Sequence, residues 1–84
     1  MAKYRLRPII VDAFRFGKEP MPDWAKCMVG NKICNIEDDY CQILTPEGWR
    51  GVTKGNYIIK YDTDVLFVCV SSLFYKKFEE DSDA

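Results

Sequence analysis

Apolar positions recur with two different periods along the chain. From Arg5 to Phe16, "RLRPIIVDAFRF", the residues are β-branched and aromatic, with Ile9, Val11 and Ala13 on one face and Ile10, Phe14 and Phe16 on the other. That pattern predicts a strand covered on both sides for part of its length. Pro8 cannot donate to a ladder, so it marks the strand's beginning or a sheet edge. Asp12 sits among these residues and needs a partner if buried, for which Arg7 and Arg15 are at hand. "GKEPMP" then breaks the strand. From Pro22 to Asn31 the period lengthens: Trp24, Cys27 and Met28 share a face at spacings of three and four. This predicts a short helix packed on the sheet through that face. Pro22 and Asp23 suit its N-terminus, and Gly30 or Asn31 its left-handed close. A helix this short depends on tertiary support.

The period then returns to two. "KICNIE" and "YCQILT" read as short strands around an acidic turn, followed by a "PEG" turn, the strand or connector "WRGVT" and a "KGN" turn. "YIIKY" and "VLFVCV" flank "DTD" and predict a hairpin whose second strand is buried on both faces. Tyr57, Ile59 and Tyr61 fall on one side of the first of these strands, and Ile58 and Lys60 on the other. Ser71 or Ser72 would cap a last helical turn, "SLFYKKF", with Leu73 and Phe74 facing inward. The expected architecture is a small α+β domain: a mostly antiparallel sheet with one or two short helices packed on a face.

Length and charge narrow this picture. Eighty-four residues hold one core, expected over residues 1–78, followed by an acidic tail, 79–84, with nothing to bury and expected to be disordered. A chain of this size buries roughly 60–65% of its unfolded surface and is expected to be stable by about 4–13 kcal/mol. No apolar run approaches the length of about 20 residues that spans a bilayer, so no membrane partner is expected. The basic start "MAKYRLRP" has no apolar signal segment after it, which points to a cytosolic protein. The net charge of −1 exerts no general pull on nucleic acid or membranes.

Candidate chemistry is sparse. Cys27, Cys34 and Cys41 are evenly spaced, but six residues separate each pair, Cys69 is distant and the chain has no histidine. Zinc sites use closer pairs, and a reducing cytosol keeps thiols free; the cysteines therefore read as small apolar packing residues, with no metal and no cofactor. Without histidine, serine and cysteine lose their commonest general base. Glu37, Asp38 and Asp39 alternate around a turn instead of facing each other across a cleft, and no phosphate-binding glycine motif is present. These absences predict a protein that is not an enzyme. The segment "GWRGVTKGNYIIKY" interleaves aromatics with cations, and Trp49, Arg50, Tyr57 and Lys60 are the candidate ligand- or partner-binding residues. Aromatic platforms beside cations suit nucleotides and single-stranded nucleic acid. The competing reading sends the aromatics into the core and the cations to water.

The two ends of the chain resemble a family. "KYRLRPIIVDAFRF" is similar to the opening K-[YF]-R-x-[KR]-P-[IV]-x-[VI]-[ED]-A-[FI]-x-[WF] of small proteins widespread in bacteriophages and prophages. Pro22, Asp23, Trp24 and Gly30 to Ile33 resemble its P-x-W and Gly-x-I segments, and Thr45 to Gly48 its T-L-E-G turn. Lys54 to Ile59 and Asp64 to Phe74 look like its P-G-D-W-I-I-x-G and G-E-F-Y-P-C-K-P-D-I-F, with Cys69 in the cysteine position. The chain departs from the pattern at Val68, Val70 and Ser71, where the pattern has Pro, Lys and Pro, and at Asp64, which replaces a turn glycine. The family has no assigned activity, so the resemblance implies a phage or prophage setting and a fold without a mechanism. The reading that follows is a non-enzymatic accessory protein in the cytoplasm of a bacterial host, acting by binding a host or phage protein. Two alternatives are a nucleotide or single-stranded nucleic-acid binding module and a minor structural component of the virion. A sheet edge on so small a domain also offers a route to a homo-oligomer.

Overall fold

The computed structural model describes residues 2–3 and 10–78. Among these residues, six strands and two short helices follow one another as β1 (Asp12–Arg15), α1 (Asp23–Lys26), β2 (Ile33–Cys34), β3 (Tyr40–Thr45), β4 (Gly48–Thr53), β5 (Tyr57–Lys60), β6 (Leu66–Cys69) and α2 (Ser71–Lys77). Every strand pairing is antiparallel, and the fold is the small α+β arrangement that the alternation predicts. The strands divide into two three-stranded sheets. Sheet A has the order β1-β5-β6 and sheet B the order β2-β3-β4.

One core lies between the sheets. Phe14, Ile58 and Leu66 from sheet A meet Ile33, Cys41, Ile43 and Val52 from sheet B, and Ala25 of α1 joins the same cluster with Trp24, Met21 and Met28 packed around it. Phe14 and Trp24 meet edge to face at 5.6 Å. A second, smaller cluster lies on the other side of sheet A. Tyr57, Ile59 and Cys69 are covered there by Phe74 and Phe78, with Val11 and Tyr61 alongside. Sheet A is thus a middle layer, which explains why Tyr57, Ile58 and Ile59 are all buried in succession. The faces of β5 fall as the alternation predicts, and β5 with β6 forms the expected hairpin. Asp64, in that hairpin's turn, has φ +59°, a left-handed position that aspartate tolerates better than most side chains.

Several local expectations are corrected. The first strand covers Asp12–Arg15 only; the expected Arg5–Ile9 portion, with Pro8 and Arg7, lies outside the described residues, as does the tail 79–84. Asp12 is exposed, and its partner is Lys60 at 3.7 Å. Arg15 instead donates from Nε to the Gly55 carbonyl at 2.7 Å. The helix α1 is a single turn, ending at Lys26, and Gly30 takes its positive φ in the loop beyond. Ala25, not Cys27, points inward, and Cys27 is exposed. In α2 the N-cap is Val70, and the Ser71 N–H is satisfied by the Asn56 side chain at 3.2 Å, so neither serine caps the helix. Phe74 packs inward as expected, while Leu73 is exposed.

Candidate functional site

The four candidate residues are not brought together. Tyr57 is buried in sheet A, its ring stacked on Phe74 at 3.7 Å and its hydroxyl hydrogen-bonded to that of Tyr75 at 3.0 Å. That hydrogen bond, and then burial, raise the Tyr57 hydroxyl above the ordinary tyrosine value, a shift that Glu19 and Tyr75 reinforce and Arg15 opposes. No face of Tyr57 remains for a base or a partner. Lys60 lies on the opposite side of β5, its ammonium shared between Asp12 at 3.7 Å and Asp64 at 3.5 Å and 5.8 Å from the Trp24 ring centroid. Trp49 and Arg50 belong to the other sheet. As neighbours on β4 they project to opposite faces.

Trp49 is the member of the four that keeps an open aromatic surface, 45% exposed. It stands on the outer face of sheet B, which neither helix covers: the core clusters hold no residue of α2 on this side, and α1 packs with the inner face. The register builds that face. Leu44 pairs with Trp49, Gln42 with Gly51 and Tyr40 with Thr53, while the alternate residues Cys41, Ile43 and Val52 point into the core. Gly51 has a specific role here. A Cβ at this position would lie 2.8 Å from Cε2 and Oη of Tyr40, so the ring of Tyr40 rests across the glycine backbone. Asn35, at a φ of +52°, donates from Nδ2 to Oε1 of Gln42. Beside them, a groove of about 400 Å³ is lined by Asn35, Ile36, Glu37, Tyr40 and Gln42.

Among the described residues the β4 edge of this sheet is open as well. Leu44 turns its N–H toward β2, bonding the Lys32 carbonyl at 2.8 Å. Its cross-strand partner Trp49 therefore directs its own N–H and C=O away from β3, and Gly51, two residues on, does the same. β4 is the last strand of its sheet, so among the described residues no strand receives these groups. Arg50 pairs with Glu47 at 3.6 Å in an exposed contact. The arrangement offers an extended chain a backbone template flanked by Trp49 and Tyr40.

Tyr40, Gln42 and Gly51 are part of this surface and were not among the sequence candidates. Their signal is the alternation of "YCQILT", read together with the "PEG" turn that sets the hairpin register. Among the described residues no group of three or more Cys, Asp or Glu side chains could hold a metal ion, and the four thiols are free. Cys34 and Cys41 lie on neighbouring strands, Cys34 opposite Gln42. Burial, helped by Cys34, pushes the Cys41 thiol from 9.0 up to about 11 and keeps it protonated and unreactive at neutral pH. Family models, curated proteins and solved structures contain no match to this chain.

Proposed function

We propose that this protein is a non-enzymatic binding module that engages another protein through the outer face of sheet B and the free edge of β4. The observation that carries the proposal is Trp49, half exposed on a strand whose outward backbone groups at Trp49 and Gly51 meet no strand among the described residues. The partner contributes an extended segment that adds beside β4. Main-chain hydrogen bonds then supply affinity, and Trp49 and Tyr40 supply selectivity. The phage or prophage setting, the host cytoplasm and the identity of the partner as a host or phage protein rest on the resemblance of the chain's two ends alone. A nucleic-acid role is less well supported, because Tyr57 and Lys60 are engaged elsewhere, Arg50 beside Trp49 is paired with Glu47, and Glu37 lines the groove beside Tyr40.

Capture from bacterial lysates with the wild-type protein and with Trp49→Ala tests the proposal. The expected result is a protein retained by the wild type and lost by the variant, with both equally folded. If no lysate yields a Trp49-dependent partner, the reading fails. Two results would favour the alternatives instead: quenching of Trp fluorescence by an oligonucleotide that weakens as salt rises, or co-purification with phage particles.

A further inference from the structure

At the hairpin end of sheet A's outer face lies a groove of about 370 Å³ lined by Tyr61, Asp62, Thr63, Val65 and Phe67, none of them a residue of β4. Its volume is at the small end of ligand sites, which run from about 300 to 1,000 Å³. Two of its walls are aromatic and perpendicular: the Tyr61 and Phe67 rings stand at 89°, with centroids 5.1 Å apart. Neither ring is fully buried, since α2 places Phe74 over Tyr57 at the other end of β5.

Charge decides what such a corner takes. Asp62 lines the groove and forms no ion pair among the described residues. Among the described residues the two nearby cations, Lys60 and Lys32, are committed elsewhere. Lys60 alternates to the inner side of β5 between Asp12 and Asp64, and the Lys32 ammonium donates to the Asp64 carbonyl at 2.7 Å. The groove therefore combines two electron-rich ring faces with one uncompensated carboxylate and no cation of its own among the described residues. An aromatic face attracts a cation. A planar guanidinium can stack on one ring while its N–H groups meet a carboxylate, which a compact ammonium does less well. We infer that this groove receives an arginine side chain presented by a partner protein, a second contact separate from the β4 edge.

The probe is N-acetyl-arginine amide, titrated into ¹⁵N-labelled protein at low salt, with the lysine and citrulline analogues as controls. The expected result is amide shifts confined to Tyr61–Phe67 that saturate with the arginine compound. Binding should weaken at least about fivefold for the uncharged citrulline analogue, and more modestly for the lysine one. Asp62→Asn, an exposed substitution that leaves the fold intact, should reduce affinity by about two- to fivefold, and Phe67→Leu by about fivefold. Added salt should weaken the wild-type interaction. The inference is overturned by shifts that scatter over the surface or are absent, by equal binding of citrulline, by lysine binding as well as arginine, or by an Asp62→Asn protein that binds unchanged. Trp49→Ala should leave this titration unaltered, so failure here is distinguishable from failure at β4.

Discussion

Removing the Phe74 ring should release α2 from sheet A and expose one particular thiol. The helix has only seven residues and no buried side chain, too few for independent stability. It is held mainly where Phe74 stacks on Tyr57, with an interplanar angle of 7°, and where Tyr75 bonds the Tyr57 hydroxyl. Phe74 is partly buried against Tyr57, so Phe74→Ala loses roughly 1–1.5 kcal/mol of apolar burial. The lost stack adds about 1 kcal/mol. A sum of about 2–2.5 kcal/mol raises the opening equilibrium of α2 about 30- to 70-fold at 1.36 kcal/mol per decade. Cys69 lies beneath this helix at 7% exposure, whereas Cys41 is sealed between the sheets at 0%. Labelling with an aromatic disulfide reagent, followed by peptide mapping, reads both sites in one experiment. The Cys69 rate should rise by about that factor, with Cys41 unchanged and Cys27, already exposed, labelling at once in both proteins. An unchanged Cys69 rate would refute the claim that Phe74 holds α2, and a parallel rise at Cys41 would show that the whole fold, not the helix, had opened.

Alkaline pH should destabilise the fold through Cys41. Its thiol is raised from 9.0 to about 11, so the folded chain keeps a proton that the unfolded chain loses. The contribution is fully present below pH 9 and is lost as pH rises from 9 to 11, by up to roughly 2–3 kcal/mol. Urea midpoints of wild type and Cys41→Ala should converge over that window, and parallel curves would contradict the assignment. Ile58, at 0% exposure on the central strand of sheet A, should cost about 2–5 kcal/mol when truncated to alanine. Ile10→Ala, at a residue 64% exposed, should stay within about 0.5 kcal/mol in the same urea series. Gly51→Ala must displace the Tyr40 ring, yet alanine recovers up to about 1 kcal/mol of glycine's backbone entropy cost. The melting temperature should therefore change little while the affinity for the Trp49-dependent partner falls, and unchanged affinity would remove Tyr40 from the binding surface.

The strands were legible because alternation and turns agreed. "YCQILT", "PEG" and "WRGVT" together determine the β3–β4 register, and "YIIK", "DTD" and "LFVC" that of β5–β6. Their division into two sheets was not, because nothing local says that the short turn from β4 to β5 passes from one sheet to the other. The α1 face was misread for a related reason. A single helical turn has no repeating stripe, so Ala25 could take the inward position expected of Cys27. Tyr57 and Trp49 look alike in the sequence, each an aromatic on a strand that also carries a cation. What separates them is α2, which returns over one face of sheet A and not over the outer face of sheet B. Such coverage is a long-range property, invisible to periodicity.

The chemistry of β4 bears on whether its open edge is a hazard or a recognition surface. Edge strands that must stay solitary carry charges, prolines or bulges. The charged residue within β4, Arg50, lies on the strand face opposite Trp49 and is paired with Glu47. Trp49, Gly51 and Thr53, which share the outer face, are uncharged. Protection is thus concentrated on one face of the strand, while the other presents an indole and a glycine with a tyrosine ring laid across it. An edge blunted against every neighbour would place charge on both faces. On the binding role proposed above, this asymmetry would penalise a segment that brings a cation against Arg50 and tolerate one that brings apolar side chains against Trp49.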